Sequence, residues 1–457
     1  MRFKDGLIRA RSHLILLLGL VVALGVVIKL ESWDPEPRSS RPFDRHSSIP
    51  NPVLGPLTAD EQLWARIAWR YFENNYEPAT GLVNSVDGYP ASTMWDTASY
   101  LMAMIAATRL AIIDQGEFDH KLSQVLTSLA NIPLFADALP NKSYNTRSLA
   151  MVNYNNEMTE RGVGWSAIDI GRLLVPFTII VWHYPQHTHA IKAIVDRWKF
   201  GELVHDGVLY GTSLDGQGKI VYVQEGRIGY EEYAAKSLSM LGMDVSEALK
   251  YEDFLRVVQV YGIEIPTDRR DPAFYHAHNY VVSEPYILDG LEFGWDQTSR
   301  EFAFRVYRAQ EERFKHTAVL TAVTEDHIDQ PPYFVYNTVF TGGKVWRAIS
   351  ETGMDASAFK TISTKAVFGW HALYKTPYTQ RLLNRIKDLH NPERGWYSGL
   401  YEQSQLPNKA ITANTNAIIL ESFCYQRFGP LMHLSRGDER LGDSDAVKAA
   451  GHFGKTP

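Results

Sequence analysis

The stretch SAIDIGRLLVPFTIIVW, residues Ser166–Trp182, is apolar on nearly every side once wound into a helix. Such a helix has no face to give to water, so it must be buried all round. Asp96–Ile113 and Ala417–Phe428 read the same way. Between such segments lie one-sided patterns. They are Leu63, Trp64, Ile67, Ala68, Tyr71 and Phe72; Phe118, Leu122, Val125 and Leu129; Ile191, Ile194, Val195 and Trp198. They continue with Phe254, Leu255 and Val258; Phe302, Val306 and Ala309; Leu382, Ile386 and Leu389. Apolar residues recurring at three and four places mark helices with one wet face. Thr58-x-x-Glu61 is a capping box that opens the first of them. Buried and one-sided helices alternate six times. The pattern predicts an all-α fold, an (α/α)6 barrel in which six helical hairpins close into a toroid. Pro176 predicts a kink in the second inner helix.

The joins are unequal. Links from buried to one-sided helices are brief, whereas links back to the buried helices are long and carry Gly, Asp, Asn and Tyr. Long ordered loops are where function collects, and these all sit at the N-terminal ends of the inner helices. Within them, residues 204–223 and 263–280 alternate enough to form small β-hairpins. Each inner helix is expected to open on an aromatic–polar stretch. These read Trp95-Asp96-Thr97-Ala98, Trp165-Ser166-Ala167-Ile168-Asp169, Tyr230-Glu231-Glu232-Tyr233-Ala234, Ser283-Glu284-Pro285-Tyr286, Phe368-Gly369-Trp370-His371 and Thr412-Ala413-Asn414-Thr415-Asn416.

The ends differ in character. Leu14–Ile28 is apolar or glycine and follows Arg2, Lys4, Arg9 and Arg11, with no small-x-small cleavage site after it. A basic segment before an apolar run predicts a signal anchor. The expected organisation is a cytoplasmic segment 1–13, a transmembrane anchor 14–30, a Pro/Ser/Arg-rich linker 31–57, a domain 58–431 and a disordered tail 432–457. The positive-inside rule then exports the domain, giving a single-pass inner-membrane protein that faces the periplasm. A net charge of -6 argues against nucleic acid as a partner. A single cysteine, Cys424, excludes an intramolecular disulfide and a Cys-based zinc site. Aromatic residues reach 12%, an excess that fits either bulky core filling or sugar-stacking platforms.

Three stretches carry a family resemblance: residues 164–172 (GWSAIDIGR), 225–235 (EGRIGYEEYAA) and 283–292 (SEPYILDGLE), with Thr321–Asp326 beside them. They resemble the bacterial envelope proteins grouped as domain of unknown function 3131, from about Thr58 to Leu431. More broadly the chain is similar to six-hairpin glycosidases of glucoamylase-like and β-glucanase-like type. That resemblance implies a sugar-polymer substrate and two acidic catalytic groups.

Glycoside hydrolysis needs one carboxylic acid to protonate the leaving oxygen and a second carboxylate as base or nucleophile. Two carboxylates on different inner-helix entrances could face each other across the barrel mouth. Glu231 and Glu284 are the first candidates and Asp96 the next, with acid and base not assignable individually. Fold analogy favours inversion. Asp169 reads as an ion pair with Arg172 one turn on, and Glu292 reads likewise. Glu325 and Asp326 are loop carboxylates, Asp326 being a candidate substrate contact, with Glu157 and Glu402 in reserve. Trp95, Trp165, Tyr230, Tyr286, Trp370 and Trp396 are either sugar platforms or core. Arg227 fits a sugar hydroxyl or an acidic polymer. Asn414 and Asn416 fit hydroxyl binders or caps. His276-x-His278 has no evident third ligand, and no phosphate loop or serine elbow is present, so neither metal nor cofactor is expected. Two rivals remain. One is a lyase or epimerase using His278, Tyr280, His371 and Arg227. The other is a non-catalytic glycan-binding subunit of a polysaccharide synthesis or secretion machine.

Overall fold

The computed structural model describes residues 49–225, 227–271 and 278–433. The expected anchor, most of the linker, nearly all of the tail and His276 lie outside the described residues. Among the described residues no single helix is long and apolar enough to cross a membrane.

Among the described residues, eleven helices carry the fold. The inner ones are α2 (Met94–Arg109), α4 (Ala167–His183), α6 (Tyr230–Met240), α7 (Glu284–Leu288), α9 (Thr364–Tyr374) and α11 (Ala413–Phe428). The outer ones are α1 (Ala59–Asn75), α3 (Gln115–Asn131), α5 (Thr188–Val195), α8 (Gln297–Thr317) and α10 (Pro377–Ile386). Each inner helix packs on the next, and α11 packs back on α2, so the ring closes. Burial runs unbroken from Asp96 to Ala107 in α2 and from Ala413 to Gln426 in α11, as two-sided packing requires. The Thr58–Glu61 capping box forms with both its hydrogen bonds, at 2.8 and 3.2 Å. Helix α4 runs on through Pro176.

The outer position between α6 and α7 departs from expectation. Phe254 closes a single helical turn, and Leu255–Val260 is a strand paired antiparallel with Ile263–Asp268. The reason is local. Val257, Val258 and Val260 favour a pleated strand. Tyr261-Gly262 then turns with both φ values positive, at 50° and 77°, as a two-residue hairpin needs. This hairpin packs on α8 in place of a helix.

Among the described residues there are seven small antiparallel sheets, and all but the 255–268 hairpin occupy the connections that precede the inner helices. They include the hairpin expected within 204–223, whereas within 263–280 the strand Ile263–Asp268 pairs back onto Leu255–Val260. The six inner-helix N-termini and these loops therefore share one face, the mouth. Inner helices approach closely at glycines: a Cβ on Gly171 of α4 would lie 2.6 Å from the Ala234 Cβ of α6. Gly171→Ala is expected to cost about 1–3 kcal/mol by overpacking, read as a lowered urea midpoint. An unchanged midpoint would mean that this helix pair is not tightly packed.

Candidate functional site

The floor of the mouth is built around Glu284. Ser283 ends a strand-rich loop, and Pro285 suits the first turn of α7, which leaves Glu284 at the helix start. Its Oε1 accepts from Trp95 Nε1 at 3.1 Å and from Asn414 Nδ2 at 2.8 Å. Its Oε2 is ion-paired with Lys365 of α9. Lys365 Nζ also donates to Asn414 Oδ1 at 2.8 Å and lies 3.9 Å from Asp326. Burial opposes the Lys365 charge, but Glu284, Asp326 and Glu325 together hold its pKa above the ordinary lysine value. Burial pushes the Asp326 carboxyl well up, against the pull of Lys365. Asp96 sits in the first turn of α2, capped by Thr93, whose hydroxyl donates to Asp96 Oδ2 at 2.8 Å. Burial raises its pKa. Hydrogen bonds from Ser85 and Thr93 and the charge of Lys365 oppose that rise, and Glu284 adds to it.

A second group lies at the N-terminus of α4, the inner helix packed against α2. Asp169 occupies the first turn of α4, capped by Ser166 with Oγ–Oδ1 at 3.0 Å. It is half-buried, with an edge left open to solvent. Burial, then the neighbouring Glu225 carboxylate, pushes its pKa up to about 7, against Ser166 and Lys142. Glu225 accepts from the Ala167 and Ile168 amides at 2.6 and 3.5 Å, so two carboxylates share one helix N-terminus. An aromatic track leads outward from half-exposed Trp95. Its ring is 5.6 Å from Tyr230, Tyr230 is 6.4 Å from Tyr280, and Tyr280 stacks on Tyr336 at 4.3 Å.

Of the residues singled out from sequence, the structure gathers Glu284, Asp96, Trp95, Asn414 and Asp326 around Lys365, with Tyr230 alongside. Lys365 was missed because the entrance of α9 was placed one turn late, at Phe368. The helix begins at Thr364, and a charged residue at its second position was the available signal. Asp169 was misread. Arg172 points to the barrel axis instead, and the shared spacing Thr93-x-x-Asp96 and Ser166-x-x-Asp169 was the clue that joined the two acids.

Several expectations need correction. Glu231 is fully buried: its Oε2 is 2.5 Å from Arg270, which also pairs with Asp268, and its Oε1 accepts from Gln224 at 3.0 Å. This is a brace between α6 and the 255–268 hairpin. Its neighbour Glu232 is pushed up to about 8 by burial and then by Glu231. Arg227 is buried and donates to Gln224 Oε1 at 2.8 Å. Trp165, Trp370, Trp396 and Tyr286 are core rather than platforms, each at most 2% exposed. The indoles of Trp165 and Trp370 donate inward, to Tyr210 O at 3.2 Å and Ser283 Oγ at 3.1 Å. Asn416 is spent holding the Trp396 amide at 2.9 Å. Glu402 pairs with Arg313 and Lys360. His371 is buried on Thr379, with its pKa lowered to about 4 by burial, so it brings no acid to the mouth.

A family model described as protein of unknown function (DUF3131) matches residues 63–429. No curated protein matches the chain. Several solved structures share the fold. An endo-β-1,2-glucanase from Chitinophaga pinensis, in complex with sophorotriose and glucose, superposes with a TM-score of 0.60 at 12% identity, over 87% of this chain and 98% of that one. The endo-β-1,2-glucanase from Talaromyces funiculosus with sophorose gives 0.54 at 13% identity, over 86% and 89%. A glucoamylase from Saccharomycopsis fibuligera gives 0.51 at 10%, over 84% and 98%. These likenesses place the chain among glucoamylase-like (α/α)6 toroids.

Two stability predictions follow from the brace. Glu231→Gln leaves Arg270 with one carboxylate and is expected to cost about 3 kcal/mol, the low end for breaking a buried pair, measured by urea unfolding. Glu232 binds its proton more tightly folded than unfolded. Its contribution is therefore fully favourable below its ordinary value of 4.5 and is lost as pH rises towards about 8. Glu232→Gln should gain on the wild type across that window and hold a constant lead above it. A lead independent of pH would refute the assignment.

Proposed function

Since the chain belongs to the family described as protein of unknown function (DUF3131), whose name assigns no reaction, we propose from its own mouth geometry that it is a glycoside hydrolase acting on an envelope or secreted glucan. The observation that carries this is Asp169, half-open in the mouth with its carboxyl pushed up to about 7, next to a floor of carboxylates and an indole. Two acids with environments that push their pKa values apart are how one site holds an acid and a base together. Burial and then Glu225 push Asp169 up to about 7; burial raises Asp96 too, but there Lys365 and the Ser85 and Thr93 hydroxyls oppose the rise. Asp169 protonates the glycosidic oxygen. Asp96, on the adjacent inner helix, is the partner that takes a proton from the attacking water, with Lys365 favouring its charged form. The Glu284–Lys365–Asn414 cluster holds the Trp95 indole as the sugar platform. The glucan ligands named with the glucanase relatives support a glucan over other polymers.

The sequence adds the setting. The segment 14–30, built on the apolar run Leu14–Ile28, anchors the chain in the inner membrane, with the barrel outside the cytoplasm, where a polysaccharide synthesis or secretion machine is a fitting partner.

Incubating the purified full-length chain with β-1,2-glucan, other β-glucans, α-glucans and native exopolysaccharide should release reducing ends from at least one. Asp169→Asn and Asp96→Asn are each expected to lower kcat about 10²–10⁴-fold. Activity should fall as pH rises through about 7, where Asp169 loses its proton. No cleavage of any glycan sinks the hydrolase reading. Cleavage surviving Asp169→Asn sinks the acid assignment.

A further inference from the structure

Arg172 lies mid-way along α4 and is wholly buried on the barrel axis. Its guanidinium is 2.9 Å from Glu292 and 3.3 Å from Glu421. It donates to Tyr233 Oη at 2.8 Å and to Ser99 Oγ at 3.4 Å. These partners come from α2, α6, α11 and the π-turn Asp289–Phe293 that continues α7. Five of the six inner helices thus meet on one side chain. A buried ion of this kind is poor evidence of a stability role, because an apolar cluster of similar volume is often as stable. A π-turn inside a helix is likewise frequent at functional sites.

What the guanidinium supports from below is the sugar platform. Its Cζ lies 4.8 Å from the centroid of the Trp95 ring. The same indole donates to Glu284 at 3.1 Å and is half-exposed in the mouth. A guanidinium stacked on an aromatic face fixes it by cation–π attraction, which strengthens on desolvation. A lysine cannot replace it, because an ammonium lacks both the flat face and the fork. Tyr233 completes the holder: its hydroxyl donates to Glu292 at 2.5 Å, and its ring lies 6.2 Å from Trp95.

We propose that Arg172 is a positioning residue for glycan binding. It pins the Trp95 indole from beneath, so that Nε1–H stays on Glu284 and the opposite face stays presented to a pyranose ring. The role rests on the glycan-cleft reading of the mouth. Arg172 itself touches no substrate.

The test uses full-length protein labelled with 5-fluorotryptophan, the Trp95 fluorine line being assigned by its loss in Trp95→Phe. Arg172→Lys should move that line, and Glu284→Gln should move it too, with non-additive shifts in the double variant. On whichever glucan is cut, Arg172→Lys should raise KM about tenfold and leave kcat within about threefold, since a mispositioned platform weakens ground-state and transition-state binding alike. Tyr233→Phe keeps the charges and is the milder variant, expected to move the line less. An unmoved Trp95 line in folded Arg172→Lys overturns the proposal. If that variant does not fold, an unmoved line in Tyr233→Phe does the same. A moved line with an unchanged KM also overturns it. If the wild type cuts no glycan, the hydrolase reading falls, while the fluorine line still decides whether Arg172 holds Trp95.

Discussion

Six helix N-termini aimed at one mouth are the constraint on which the rest depends. Each N-terminus presents unpaired amides and the positive end of a helix dipole. A ring of them attracts carboxylates, and the chain supplies these at the first turns: Asp96, Asp169, Glu232 and Glu284. Closing the ring also desolvates them. Burial is the largest influence on Asp96, Asp169 and Glu232, and all three are raised despite their helix starts. Desolvation therefore outweighs the dipoles, and it carries Asp169 up to about 7 and Glu232 up to about 8.

The buried charge is arranged in levels with different tasks. On the axis, Arg172 faces Glu292 and Glu421, and Glu421 is pushed well above the usual carboxylate range by burial and by Glu292. One guanidinium thus serves two carboxylates. Above it, Glu284 and Lys365 pair beneath the indole of Trp95. To one side, Glu231 and Asp268 share Arg270 and tie the 255–268 hairpin to the ring. Asp169 and the Trp95 indole keep open edges, and chemistry on a large substrate needs such edges.

The site was legible where local rules apply. Glu284 beside a first-turn proline and Asp96 after a capping threonine could be read because helix starts have their own grammar. Glu231 could not be discounted, because its partner Arg270 lies 39 residues away, just past the 255–268 hairpin. Asp169 looked paired because Arg172 is one turn on. The arginine instead finds Glu292 and Glu421, 120 and 249 residues distant. Trp165 and Trp370 share their aromatic character with Trp95, and nothing in residue type separates a platform from a core ring.

By itself the sequence determined the alternation of buried and one-sided helices, hence the toroid, and which end of each inner helix carries the long loops. Those follow from periodicity and burial, which are properties of neighbouring residues. Only the tertiary structure decided which acids keep water, which spend their charge on an arginine or lysine, and which indole is left half-open. Those outcomes depend on partners brought from remote helices and loops. The energy of a charge is set by what surrounds it in space, not by what precedes it in the chain.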